Sequence, residues 1–200
     1  MAQKRAVVPP IDVQLAGTEF KGKMPGLLLH CCCAPCASYV LEYLSAFFKI
    51  TVLYFNPNII PQEEYDKRAN EFTKLPLQNG YKNRVELQVC PYDPTDFMML
   101  AAPLRGEPEG GLRCRECFRL RLGETASLAL AGGYDYFGTT LSVSPHKNAA
   151  VLNEIGSSLA LMHNIRYLAS DFKKRDGYKR SVELSGQYGL YRQSYCGCGM

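Results

Sequence analysis

The chain has 200 residues, 46% of them hydrophobic and 21% charged, with a formal net charge of +4. That length suits one domain, or one with a small appendage, and can bury a proper core. The composition is ordinary for a soluble chain, and no apolar run approaches the roughly 20 residues a bilayer span needs.

Residues 1–24 show no clear period and no signal-peptide core, so they are expected to form a disordered or surface-hugging polar arm in a cytoplasmic protein. Residues 25–200 are then the catalytic domain. Leu27 to Leu29 is an apolar run, and a first buried strand is expected over about 26–31. It opens into His30-Cys-Cys-Cys-Ala-Pro-Cys36, where Pro35 suits the first turn of a helix because its missing N–H costs nothing there. Val40, Leu41, Leu44, Phe47 and Phe48 recur at helical spacing from Ala34 to Phe48. Ile50 to Phe55 is β-branched and aromatic, a second strand ended by Asn56-Pro-Asn58. Pro61 to Asn79 is an amphipathic helix that Pro76 must end or kink. Val85 to Cys90 alternates as a third strand, a short helix covers 94–102, and 112–131 is a long helix with Cys114 and Cys117 in its opening turn. Tyr134 to Leu141 is a fourth strand. A helix N-capped by Ser144 runs to about His163, and Ile165 to Ala169 is a fifth strand. From Asp171 the tail is polar, basic and rich in tyrosine, ending in Tyr195-Cys-Gly-Cys-Gly199. Strands alternating with helices predict an α/β fold: one domain with a mostly parallel sheet of about five strands flanked by helices, Rossmann-like.

Nine cysteines in a reducing compartment point to metal binding or redox chemistry in preference to structural disulfides. Cys33 and Cys36 form a C-x-x-C unit, and Cys114 and Cys117 share a helical face. Two thiolates from the turn and two from the helix would make a four-cysteine shell, and both zinc and an iron–sulfur cluster are held that way. Spacing alone does not choose between them. Cys36, Cys196 and Cys198 are surplus to one closed site, which favours electron transfer, and Cys196-Gly-Cys198 has the form of a strained, redox-active disulfide. Cys31 and Cys90 sit at strand ends and read as small hydrophobes.

His30-x-Cys-Cys-Ala-Pro-Cys36, Tyr54-Phe-Asn-Pro-Asn-Ile59, Arg113-Cys-x-x-Cys-Phe-x-Leu-Arg121, Thr139-Thr-Leu-x-x-Ser-Pro145, Asp171-Phe-Lys-Lys174 and Tyr191-Arg-Gln-x-Tyr-Cys-Gly-Cys198 together resemble the QueH family of epoxyqueuosine reductases, in the same order over about residues 25–198. The resemblance implies reduction of the epoxide of epoxyqueuosine at the tRNA wobble position to give queuosine, without cobalamin, on a fold similar to the adenine nucleotide alpha-hydrolases. It implies a 4Fe-4S cluster on Cys32, Cys33, Cys114 and Cys117, with a second, mononuclear iron near it. Cys196 and Cys198 are then a redox-active pair, or ligands of that iron with a carboxylate. Asp93 is the first candidate for the carboxylate and Asp171 the second, and the role of Cys36 stays open.

Opening an epoxide to an alkene and water consumes two electrons and two protons, so an electron donor is required; Tyr92, Asp93 or His30 could supply a proton. His30 reads equally well as a satisfied core residue. Arg113, Arg115, Arg119 and Arg121 around the cysteine helix, and Lys173, Lys174, Arg175, Lys179 and Arg180 in the tail, form a basic set interleaved with Tyr178, Tyr188, Tyr191 and Tyr195. Such a set fits an exposed anticodon loop, or an ordinary solvated face. Ser142, Ser144 and Lys147 make a further candidate phosphate site. The missing Gly/Ser-rich loop after the first strand counts against an ATP-dependent sulfur transferase. A zinc-stabilised nucleic-acid-binding module explains the basic tail but leaves the surplus thiols without a task.

Overall fold

Strand β1 (Gly26–His30) is buried on both faces, with Leu27, Leu28 and Leu29 at most 1% exposed. Successive side chains of a strand point to opposite sides, so an unbroken apolar run needs cover on both. In the computed structural model, which describes residues 8–15, 23–174 and 176–199, that cover is complete. β2 (Lys49–Tyr54) runs parallel to β1, with Leu27 opposite Ile50 and His30 opposite Leu53. β3 (Val85–Val89), β4 (Tyr136–Thr139) and β5 (Arg166–Tyr167) complete an all-parallel sheet in the order β3-β2-β1-β4-β5. The single α/β domain with a five-stranded parallel sheet is the one expected.

On one face Leu27, Leu29, Ile50, Val52 and Tyr54 pack with Ala37, Val40, Leu41 and Leu44 of α2 (Ala34–Leu44). On the other, Leu28, Leu53 and Phe137 meet Phe118, Leu122 and Ala126 of α5 (Leu112–Ala131) and Leu152, Ile155 and Leu159 of α6 (Ala149–His163). Part of the expected arm docks here. The short helix α1 (Ile11–Leu15) puts Ile11 into the first core, and the Gln14 amide bonds both the C=O and the N–H of Ala169. The remainder of that arm, 1–7 and 16–22, lies outside the described residues. Among the described residues no helix is long and apolar enough to cross a membrane.

Three elements differ from expectation. The helix after Pro61 stops at α3 (Gln62–Asn70) and tightens into a 3-10 turn, Glu71–Lys74. Leu75 must be extended because it precedes Pro76. Ser144 does not cap α6: Leu141–Val143 form a 3-10 turn, the Ser144 hydroxyl accepts from His146 N, and Asn148 caps the helix by accepting from Ala150 and Val151. The tail contains an unforeseen helix, α7 (Gly177–Gln187), packed on α2. Its buried residues are Gly177, Ser181, Leu184 and Ser185, so only one apolar side chain marks the face that turns inward.

Candidate active site

Chain order in the sheet reverses between β1 and β4, which opens a crevice beyond their carboxyl ends. A cavity of about 370 Å³ occupies it, walled by the turn after β1 (Cys32, Cys33, Cys36), by the segment after β4 (Leu141 to Lys147) and by the tail (Arg192 to Cys196). A second cavity of about 410 Å³, lined by Arg113, Cys114 and Cys198, shares Glu109, Ser194, Tyr195 and Cys196 with the first. The tail is thus a partition with thiols on both sides.

The three consecutive cysteines separate by direction. Cys31 continues the β1 alternation into the core with Leu27 and Leu29, its thiol against Leu29 O, and burial pushes its pKa well up. Cys32, Cys33 and Cys36 turn to the cavity, with their sulfurs all within 4.8 Å of one another. Cys33, in extended backbone ahead of α2, receives thiol hydrogen bonds from Cys32 and Cys36, which hold its pKa well below the usual range. Cys32, donating to it at 3.8 Å, is pushed up to about 11. Cys114 accepts from Gly110 N at 3.2 Å, and Cys117 is buried beside Phe97, Ala101 and the half-buried Cys198. All nine cysteines are unbridged.

The tail is fastened by a buried arginine. Arg68 pairs with Glu64 at 2.7 Å, donates to Cys196 O at 3.0 Å and lies over the Tyr195 ring. Ile60 N donates to Gly197 O at 2.9 Å. Gly197 has φ +96°, and a Cβ there would lie 2.8 Å from Arg68 Nη2, so backbone conformation and close approach both require glycine. Cys196 then meets Lys147 Nζ at 3.6 Å, and Lys147 pairs with Glu109 at 3.2 Å. The hydrogen bond with Cys198, helped by the charges of Lys147 and Arg121, holds the Cys196 thiol down to about 5.

The other candidate side chains are placed as follows by the fold. Asp93 is exposed, accepts from Thr95 N at 2.9 Å at the head of α4 (Thr95–Ala101), and lines neither cavity. Asp171 is engaged with Lys173 and Lys174. Glu109 is the carboxylate shared by the two cavities. His30 is a satisfied core residue. Phe55 O can only accept, so Nε2 carries the proton and donates to it at 3.2 Å, while Nδ1 accepts from the Thr139 hydroxyl at 3.0 Å. Tyr92 packs against Tyr65. The basic set is largely spoken for. Arg113 is buried and binds Leu104 O and Arg105 O; Arg115 and Arg119 pair with Glu154 and Glu116; Arg180 pairs with Glu42 and Glu183. Arg175 lies outside the described residues. Ser142 bonds Ser170 in the interior and offers no phosphate contact, whereas Ser144 and Lys147 do line the cavity. Arg68 was not anticipated at all, since a basic residue inside a charged helix carries no sign that it will be buried.

A sequence model of the family described as epoxyqueuosine reductase QueH matches residues 27–200. The chain belongs to the QueH family. Among its QueH relatives, the epoxyqueuosine reductase of Staphylococcus epidermidis is 45% identical over 186 residues, covering 90% of this chain and 77% of that protein. That of Streptococcus pyogenes is 45% identical over 182 residues, covering 90% and 71%. The Thermotoga maritima protein is 32% identical over 185 residues, covering 88% and 89%. QueH proteins are reductases, so the chain is an enzyme of the oxidoreductase class.

Proposed function

We propose that the chain reduces the epoxide of epoxyqueuosine in tRNA to the alkene of queuosine, in the cytoplasm, with an iron–sulfur cluster held by its cysteines. The observation that carries this reading is the meeting of Cys32, Cys33, Cys36 and Cys196 around one cavity at the switch point of the sheet. The residues fit such a cluster on two counts. The donor set is all thiol, the ordinary holding group of iron–sulfur clusters. Two buried guanidinium nitrogens belonging to residues of the cavity wall, Arg68 Nη2 and Arg121 Nη2, have no hydrogen-bond partner, which suits an anionic occupant.

Cys32 and Cys33 at the first cavity, with Cys114 at the second and Cys117 buried outside both linings, are the proposed ligands, and Cys36 lies within reach of the first two. When bound, the cluster supplies electrons singly. Cys196 and Cys198 are the second redox element, or would hold a mononuclear iron with Glu109 in place of Asp93. In the reaction the two carbon–oxygen bonds of the epoxide break, a carbon–carbon double bond forms, and the oxygen leaves as water after taking up two protons. Lys147, hydrogen-bonded to Cys196 and lining the cavity, is the proposed source of one of those protons. Tyr178 and Tyr195, both partly exposed at the cavity wall, offer ring faces to an everted base.

The test is anaerobic reconstitution with iron and sulfide, then turnover of an anticodon stem-loop carrying epoxyqueuosine with dithionite as the electron donor. Loss of one oxygen atom by mass spectrometry is expected, with Cys196→Ser at least about 100-fold slower. Iron-loaded protein that leaves the epoxide intact, or protein that binds zinc without acid-labile sulfide, would overturn the reading.

A further inference from the structure

Arg121 lies four residues beyond Cys117 and seven beyond Cys114, so α5 sets all three on one face. Its side chain is 1% exposed. Nε donates to Cys117 O at 3.4 Å and Nη1 to Asn56 Oδ1 at 3.2 Å, while Nη2 has no partner. Asn56 is itself held, its amide nitrogen bonding Cys31 O at 2.9 Å, so its oxygen is fixed toward Arg121. No carboxylate among the described residues forms an ion pair with Arg121. Arg68 is also buried, yet it has Glu64.

A cation taken out of water without a counter-charge costs several kcal/mol. Arg121 shares its cavity wall with Cys32 and Cys196 and its helix face with Cys114 and Cys117, and these sulfurs, from all three cysteine segments, oppose its charge only as thiolates. We propose that Arg121 is the positioning residue that sets the reduction potential of the iron–sulfur group these cysteines hold, by placing a permanent, water-excluded positive charge beside it. This rests on the cofactor reading above and goes beyond it. Each electron taken up adds a negative charge to the group, and a fixed cation in surroundings of low polarizability stabilises the reduced form more than the oxidised one. The potential is thereby raised.

The experiment is a dithionite titration of reconstituted full-length protein, followed by electron paramagnetic resonance. Wild type is compared with Arg121→Met, Arg121→Lys and the exposed control Arg119→Met. The expected result is a midpoint shifted to more negative potential in Arg121→Met, held near wild type in Arg121→Lys, and unmoved in Arg119→Met. A midpoint that Arg121→Met leaves in place, or a shift that Arg119→Met matches, overturns the inference while leaving the cofactor reading intact. If Arg121→Met takes up no iron, loading of Arg121→Lys supports the role of charge, and failure of both variants overturns it in favour of a shape requirement. Wild type that takes up no iron overturns the cofactor reading itself and this inference with it.

Discussion

His30 shows how much one buried residue can reveal about solution behaviour. Burial above all, and the nearby Arg121 charge, lower its pKa from the usual 6.5 to about 3. The unfolded chain therefore takes a proton below pH 6.5 that the folded chain refuses. The stability from neutral His30 is complete above that pH and is lost as pH falls toward about 3, by up to about 1.4 kcal/mol per unit. Urea denaturation from about pH 7 down to about pH 5 should show this decline, and His30→Gln should flatten it. An equally steep decline in the variant would assign the acid sensitivity to other groups. At neutral pH the same residue is the neutral imidazole, with both ring nitrogens hydrogen-bonded. Beside it, the cysteine triplet was ambiguous by spacing, because adjacent residues face opposite ways only while the strand lasts. Cys31 is still on the strand alternation and is lost to the core, whereas Cys32 and Cys33 lie beyond it.

At the scale of elements, the tail Tyr191–Gly199 carries no regular structure and is positioned by contacts at single residues. Gly197 is the tightest of these. Gly197→Ala would strain the backbone by about 1–3 kcal/mol and push on Arg68, whose hydrogen bond holds Cys196. Thermal melting of the core should change little, because the two large apolar clusters do not include this segment, while epoxide turnover should fall at least about tenfold. Unchanged turnover would show that the Cys196–Cys198 segment need not stay docked. Helix α7 is a regular element whose buried face carries a single large apolar side chain, Leu184. Ser181 and Ser185 bond their own backbone, and Arg180 grips Glu42 of α2 through two nitrogens, so polar contacts do what an apolar stripe does elsewhere.

For the whole molecule, the sheet reversal decides where chemistry can happen. It sets the turn after β1 and the segment after β4 side by side, and the tail closes the crevice from above Arg68. Core and closure are separable. Truncation after Ser194 keeps every residue of the two main cores and the Cys32, Cys33 and Cys36 group, yet removes the wall between the cavities. The truncated protein should keep its circular dichroism spectrum and cooperative unfolding but lose turnover. Unfolding of the truncated chain would mean that the tail is part of the stabilising core, against the packing seen here.

Strand positions, the parallel α/β class and the long cysteine helix could be read from the linear chain, because apolar period and turn residues are local properties. Which carboxylate borders the site, which arginines are buried and which face solvent, and how the three cysteine segments meet could not. Asp93 and Glu109, or Arg119 and Arg121, are alike in composition and neighbourhood along the chain. They differ only in what distant segments place around them, and the cost of desolvating a charge is settled by those surroundings.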